Sequence, residues 1–406
     1  MGFVLDSRAC KTNQGITQYR VLMQDEKRRR VCVFTIHPAK NLRILNRQCC
    51  SLQQNGWDVT LIAMSEEGTY NDMGIRVIGI KRWKSKWQRV KTVLGIMCKA
   101  YKQKADIYHF HDLDLLIPAV FLKLLTRKPV IYDIHEFYSI NKPRRLPNIW
   151  PIRQIASVLT WSIETIAGMV CGYISAVHED LVRRFSKLGC KTVYTPNYAS
   201  IDDFVPVPVS DEEWEQRRKT VIHTGTLDPE EKGSLLLLDI AKEIRKRRQD
   251  IEFIVTRRFF AKFQEEAMMK KMALADYQGI IQFIPSVDGS ELPKVVRQGG
   301  IGLSTVQNVS QNKLAVPTKF FEYMSQAVPI VASDLPPSRK YIGDEECGIL
   351  VKPDSPEEYV EAIIKLVDNP ELAKKMGRKG QKAFAERLNW SDVEKRLVEF
   401  YESISG

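Results

Sequence analysis

The sequence predicts an α/β protein built from two Rossmann-like, doubly wound parallel-sheet domains that face each other across a central cleft. Short apolar runs such as Val31-Cys32-Val33-Phe34-Thr35-Ile36 alternate with helical patterns, and a continuous apolar run marks a strand buried on both faces. The alternation breaks once, in a polar, proline-punctuated stretch at about 199–218, and then begins again. Alternation twice over gives two parallel sheets, and 406 residues suit two domains of roughly 200 each.

Residues 1–30 carry no clear period and end in Glu26-Lys27-Arg28-Arg29-Arg30, so they read as an irregular extension. The first domain, 31–200, has strand patterns at 31–36, 58–63, 75–80, 106–110, 129–133, 173–177 and 192–195. Helical patterns fall at 42–54, 87–104, 115–125, 152–170 and 179–188. The second domain, 219–388, has strands at 220–224, 251–256, 280–283, 301–305, 329–333 and 348–351. A last helix in 389–406 is expected to cross back to the first domain.

In doubly wound sheets, ligands bind outside the carboxyl ends of the strands. The unusual polar residues fall there: His37, His111-Asp112, His135-Glu136, Asn197, and Gly225-Thr226 followed by Lys232-Gly233. The stretch Pro317-Thr318-Lys319-Phe320-Phe321-Glu322-Tyr323-Met324 reads as a helix entered through a proline, before a buried strand. Lys319 adds positive charge in the first turn, where free N–H groups also favour an anion. Glu322 offers a carboxylate to vicinal hydroxyls. A diphosphate carrying a ribose needs this set.

The eight cysteines are scattered without metal-ligand spacing, as in a reducing cytosol, and no metal site is read. The net charge of +12 points to acidic partners. Without a zinc finger, RNP sequence or long basic tail, nucleic acid is set aside for a phosphorylated substrate or lipid surface. The start lacks a basic region followed by an apolar stretch, so no secretory leader is expected, and no uninterrupted apolar run spans a bilayer. Two segments mix base with indole beside apolar helices: Lys81-Arg82-Trp83-Lys84-Ser85-Lys86-Trp87, and Lys142-Pro143-Arg144-Arg145 leading to Trp150. They make an anionic membrane surface a further expected partner.

Residues 31–405 resemble the retaining GT-B glycosyltransferases of family 4 (glycosyl transferases group 1), element by element. The likeness is carried by His37-Pro38-x-x-Asn41-x-Arg43, His109-Phe110-His111-Asp112, Tyr132-Asp133-Ile134-His135-Glu136, Thr195-Pro196-Asn197, Gly225-Thr226…Lys232-Gly233 and the Pro317–Met324 stretch. There are departures: Asn41 stands for a usual Asp, Thr226 for a frequent Arg, and Leu314 for the first of two glutamates eight apart.

The resemblance implies a hexosyltransferase-type enzyme that needs no metal or other cofactor. It would take a nucleotide-diphosphate sugar, with a UDP-sugar favoured, to a glycan or lipid-linked acceptor, as in bacterial surface polysaccharide synthesis. It further implies donor binding by Gly225, Thr226, Lys232, Pro317, Thr318, Lys319 and Glu322. His135, Lys232 and Glu322 would serve catalysis, and His37, Arg43, His111, Asp112 and Glu136 the acceptor. The expected location is the cytoplasm, with peripheral attachment to the inner face of the membrane. The alternatives are a catalytically weakened GT-B partner or scaffold, or another GT-B enzyme such as a nucleotide-sugar epimerase.

Overall fold

The structure, a computed structural model, describes residues 28–405 except 142, 144–148, 288 and 290. Most of the 1–30 extension, and the Lys142 to Pro147 part of the second basic segment other than Pro143, therefore lie outside the described residues.

The first domain holds eight strands: β1 (Arg30–Pro38), β2 (Asp58–Met64), β3 (Thr69–Asp72), β4 (Ile75–Ile80), β5 (Ile107–His111), β6 (Val130–Ile134), β7 (Gly172–Ala176) and β8 (Lys191–Tyr194). Their order is β3-β4-β2-β1-β5-β6-β7-β8. The second domain holds β9 (Thr220–His223), β10 (Glu252–Arg257), β11 (Gln282–Pro285), β12 (Ile301–Ser304), β13 (Ile330–Ser333) and β14 (Gly348–Val351). Their order is β11-β10-β9-β12-β13-β14. All pairs are parallel except β3 with β4. This is the GT-B arrangement of two Rossmann-like domains.

The helices used below are α1 (Leu42–Cys49), α2 (Lys86–Lys102), α3 (Leu116–Thr126), α4 (Trp150–Cys171), α5 (Ser234–Arg247), α6 (Lys319–Ser325) and α7 (Trp390–Ser405). Helix α7 rests on the first domain. Its Trp390 indole N–H donates to Ser51 Oγ at 3.0 Å, and Lys191 Nζ donates to the Ser403 carbonyl at 2.7 Å. One apolar cluster runs from the first sheet through Tyr198 and Phe321 to Tyr341 and α7, so the domains share a core beneath the cleft.

Three local features differ from the sequence reading. The antiparallel edge strand β3 has a polar sequence, and its tight turn puts Met73 at φ 50° and Gly74 at φ 79°. Positive φ at both central positions matches the right-handed twist of a hairpin, and Asp72-Met73-Gly74 was its sequence signal. The 199–218 stretch contains a helix, Asp211–Arg217, capped by Ser210 Oγ accepting from the Glu213 N–H at 3.2 Å. Its charge run hid Trp214, which is buried, and Arg217, whose guanidinium donates to the carbonyls of Arg297 and Gln326. Finally, α6 begins at Lys319 with Thr318 as its cap, so Pro317 stands just before the helix rather than at its first position. The Pro317 carbonyl accepts the Phe320 N–H at 3.2 Å, a tighter lead-in turn.

Candidate active site

The first wall of the cleft is built on the carboxyl ends of β5, β6 and β7. Parallel register sets His111 beside Asp133 and Asp133 beside Ser175. Asp133 is fully buried and everything converges on it. Arg43 Nη2 lies 3.3 Å from Oδ1, His135 Nε2 lies 3.1 Å from Oδ1, and His109 Nε2 lies 3.3 Å from Oδ2. Gln48 and Ser175 donate to Oδ2 at 2.5 and 3.0 Å. Burial would raise the Asp133 pKa, but the Arg43 charge, His135 and the histidine hydrogen bonds override it and hold the carboxyl well below its usual range.

Helix α1 explains how two of these groups reach one carboxylate. It is wound in wide π turns, whose i→i+5 bonding sets residues five apart on one face, so Arg43 and Gln48 both point at Asp133. Its cap is Asn41, whose side-chain oxygen accepts from the N–H groups of Arg43 and Ile44 at 3.0 and 3.1 Å. An amide oxygen does here what the usual carboxylate would, so this departure costs the local fold little. One turn on, Arg47 is buried and donates to Asn197 Oδ1 at 2.9 Å. Burial lowers its pKa to about 10, while Asp203 and Glu322 pull it up.

Of the residues expected at the acceptor, His111 is fully enclosed. Its Nδ1 meets His135 Nε2 at 2.8 Å, so it acts through His135 rather than on a ligand. Arg43 is likewise buried, engaged with Asp133 and the Thr195 carbonyl, yet it still lines the cleft cavity. Asp112 sits at φ 81°, a strained backbone for a non-glycine residue. Its carboxylate accepts from Thr35 Oγ1 at 2.8 Å and the Ile36 N–H at 3.0 Å, and pairs with His37 Nε2 at 2.9 Å. That pairing raises the His37 pKa. His37 and Glu136 remain partly open to the cleft.

The second wall is built from the end of β9, the loop before α5, and α6. Phe320, Phe321, Tyr323 and Met324 bury α6, leaving Lys319 and Glu322, three apart on one face, recessed in the cleft. The Tyr323 hydroxyl accepts the Thr224 N–H at 3.0 Å and so locks α6 to β9. Lys319 Nζ lies 2.9 Å from His223 Nε2. Burial, opposed by Glu322 and reinforced by Lys232, brings its pKa down to about 7. Glu322 accepts from Thr224 Oγ1 at 3.3 Å, and burial raises its pKa against the pull of Lys319.

Lys232 is placed by its backbone. Asp228 Oδ1 accepts from the N–H groups of Glu230 and Glu231 at 2.9 and 2.6 Å, while Thr305 Oγ1 donates to the Lys232 carbonyl at 2.8 Å. Gly233 follows at φ 65°, where a Cβ would lie 2.1 Å from the Thr305 carbonyl oxygen, so only glycine fits. Burial lowers the Lys232 pKa. Glu231 and Asp228 pull the Lys232 pKa up and Glu322 that of Lys319, but among the described residues no carboxylate is within ion-pair distance of either ammonium. Gly225, at φ 92°, would place a Cβ 3.6 Å from Lys319 Cε, so its lack of a side chain keeps the approach to this ammonium open.

Between the walls lies a cavity of about 140 Å³, lined by Arg43, His135, His178, Asn197 and Tyr198 from one side and Ala315, Val316 and Phe321 from the other. His109, His111 and Asp133 also bring three metal-type ligand atoms within 4.8 Å of one another. The Arg43 guanidinium at 3.3 Å from Asp133 already supplies the positive charge there, so a cation would be repelled. The sequence reading singled out neither Asp133 nor His223 as site residues. An acid inside an apolar strand was the signal for Asp133. Arg47 was legible only as the residue four after Arg43 on one helix.

Residues 209–383 match the model of the family described as glycosyl transferases group 1. The phosphatidyl-myo-inositol mannosyltransferase of Mycolicibacterium smegmatis is 25% identical over 230 residues, covering 56% of this chain and 56% of that protein. The chain thus spans little more than half the length of that relative. The protein of the same name from Mycobacterium tuberculosis is 25% identical over 294 residues, covering 68% of this chain and 75% of the other. Among solved structures, Anabaena HepE in complex with UDP superposes with a TM-score of 0.69 at 13% identity, covering 92% of this chain and 100% of that one. At that identity the likeness is one of fold.

Proposed function

We propose, for a chain whose residues 209–383 match the glycosyl transferases group 1 family and which has the GT-B fold, that it moves a hexose from a nucleoside-diphosphate sugar to a lipid-linked or growing glycan acceptor with retention of configuration. One observation carries this reading: Lys319 and Glu322 stand one helical turn apart on α6, Lys319 Nζ lies 2.9 Å from His223 Nε2 and beneath the bare Gly225, Lys232 is fixed in the adjoining loop, and among the described residues neither lysine has a carboxylate at ion-pair distance. Two recessed amines that nearby carboxylates influence without forming an ion pair favour a dianionic ligand, which would also hold Lys319 in its charged form. Lys232 and Lys319 would hold the diphosphate and stabilise the charge that develops as it leaves, work that a metal does in other transferases. Glu322, with lone pairs to spare beyond Thr224, would accept from the ribose hydroxyls.

In this reading the sugar sits in the cavity between Phe321 and His135. His135, oriented by Asp133 and His111, would hydrogen-bond the sugar. The acceptor would enter past His37 and Glu136. Its oxygen forms the new bond to the anomeric carbon as the bond to the phosphate oxygen breaks, and the acceptor proton passes to the leaving phosphate on the same face. UDP is favoured as the carrier because the HepE complex holds UDP, and a lipid acceptor is in keeping with the names of the mannosyltransferase relatives. The reading places the protein in the cytoplasm.

A thermal-shift panel of UDP, GDP, ADP and their sugars identifies the donor, with a diphosphate-dependent rise expected for one base. Release of nucleoside diphosphate should require acceptor and survive EDTA. Leu314, where a glutamate would meet sugar hydroxyls, favours a second reading as a weakened partner protein. Nucleotide binding with no acceptor-dependent release would select it, and conversion of the nucleotide sugar to its epimer, with the sugar still joined to the diphosphate, would point to an epimerase.

A further inference from the structure

We infer that the outward face of the α2–α3–α4 helix layer on the first domain docks flat on an anionic lipid bilayer. The inference deepens the proposed function, resting on its lipid-linked acceptor. Helix α4 is inside out for a protein surrounded by water. Its buried side carries Glu164 and Thr165, with Glu164 satisfied by the Tyr132 hydroxyl at 3.1 Å and Arg184 at 3.0 Å. Its outer side carries Ile155, 61% exposed, and Ile166, 60% exposed. A surface helix normally shows the reverse pattern.

The pattern repeats on the neighbours. Helix α3 lies between α2 and α4 and turns Phe121 and Leu125 outward, the latter 65% exposed. Helix α2 turns Val90 and Leu94 outward. Three adjacent helices thus present one apolar face, far beyond the scattered apolar residues of an ordinary surface. Helix α4 is long and apolar enough to cross a membrane, a property the broken apolar run in sequence did not show. Its packing on α3, β6 and β7 sets it along the surface instead.

Charge decides the occupant. Helices α2 and α3 contain no Asp or Glu, and the one in α4 is buried. Lys86, Lys91, Lys99 and Lys102 are exposed around the apolar stripe of α2. A second copy of this +12 chain would set cation against cation, whereas anionic headgroups complement the rim. Trp87 and Trp150, 82% and 74% exposed, supply the side chain that prefers the membrane interface. Each helix follows the carboxyl end of a strand, so Trp87, Ile117 and Trp150 mark the end of the layer nearest the cleft. A bilayer on this face would meet the mouth of the acceptor wall.

Basic segments alone would give salt-labile attraction; the apolar face makes the attachment partly salt-resistant. Sedimentation with phosphatidylcholine vesicles, with and without phosphatidylglycerol and free of any sugar acceptor, tests this. Wild-type protein should pellet with the anionic vesicles. Raising salt from about 0.1 to about 1 M, which shortens the Debye length from ~10 to ~3 Å, should weaken but not abolish binding. The variant carrying Trp87→Ser, Phe121→Ser, Ile155→Ser and Ile166→Ser should lose at least tenfold in partition, with circular dichroism and the nucleotide thermal shift unchanged. Absence of wild-type binding, or equal binding by the folded variant, overturns the inference. So does a wild-type dimer in light scattering that the variant makes monomeric, since the face would then join copies. If vesicles bind but sugar passes only to a soluble glycan, the lipid-linked acceptor fails and the docking surface stands.

Discussion

On the first wall of the cleft, buried Asp133 is met by Arg43, Gln48, His135 and Ser175. On the second, Lys319 is recessed with a neutral imidazole against it, and Lys232 has no anion at ion-pair distance among the described residues. Both walls remove charge from water, which is costly in either place. The first wall offsets its charge within the protein, Arg43 against Asp133, although Arg43 Nε, Gln48 Oε1 and His111 Nε2 keep no hydrogen-bond partner there. The second leaves Lys232 and Lys319 without an ion pair among the described residues, with only the more distant pull of Glu322, Glu231 and Asp228, and in the proposed function a diphosphate completes it. In the proposed function the first wall positions sugar and acceptor through side chains fixed around Asp133, and the second wall supplies the charge for the diphosphate.

The sharpest break of the contrast is Asp133→Ala. It strands the buried Arg43 guanidinium, and urea unfolding should show a loss of about 3–5 kcal/mol. Because the folded Asp133 pKa is depressed, its contribution is present above the ordinary carboxylate range and is lost only as pH falls below that range. A loss under about 1 kcal/mol would mean the wall is not held by this pairing.

Lys319→Met should do the opposite. The folded pKa of about 7 lies below that of the unfolded chain, so Lys319 subtracts stability increasingly as pH falls from about 10.5 to about 7. Its removal should leave unfolding unchanged or raise the midpoint, while nucleoside-diphosphate affinity falls by about 1.5–3 kcal/mol, the range for a charged hydrogen bond. Lys232→Met should behave alike, and equal loss of nucleoside and diphosphate binding by either variant would point to a folding defect. Lys319 also sets the pH response. Below pH 7 it is charged in the free protein. Above pH 7, binding must take up a proton, and affinity should fall by up to about tenfold per pH unit until the bound-state pKa is passed. Calorimetry in buffers of different ionisation enthalpy reads that uptake directly, and a flat profile removes the role.

Glu322→Ala should weaken donor binding or turnover about tenfold, or about 1.4 kcal/mol, with the fold intact. Unchanged donor affinity would detach this carboxylate from the ribose. The smallest effect is expected for Tyr401→Phe. The Tyr401 hydroxyl lies 2.6 Å from His109 Nδ1 and so links α7 to the Asp133 cluster. About 1 kcal/mol of stability should go. A change in the pH profile of turnover, beyond that loss, would show that α7 tunes His135 through His109 and Asp133.

How much of this was legible varies residue by residue. The polar residues at strand ends could be read directly, because loops at the carboxyl ends of parallel strands must face a cleft. Thus His135, Lys232, Lys319 and Glu322 could each be nominated from local pattern, and the structure places all four at the cleft. Asp133 was passed over because an acid in an apolar strand shows its purpose only when its partners are known, and those come from α1, β5, β6 and β7. His223 was missed for the same reason: nothing local marks a histidine in a strand as the neighbour of a lysine 96 positions later.

The outer face of the first domain shows the same limit. Helix α4 read as an apolar helix in sequence, and its period gave no direction. Basic loops beside it suggested a membrane, but only packing shows that Glu164 turns inward and Ile155 outward. By itself, then, the sequence determined the parallel strands of both sheets and the polar residues at their ends, though not the polar edge strand β3 or the helix Asp211–Arg217, because hydrophobic period and backbone geometry are local. The tertiary structure alone decided which charges are paired and which are left waiting, since pairing depends on distances between segments far apart in the chain. It decided likewise which side of an apolar helix meets the sheet and which is left for something else.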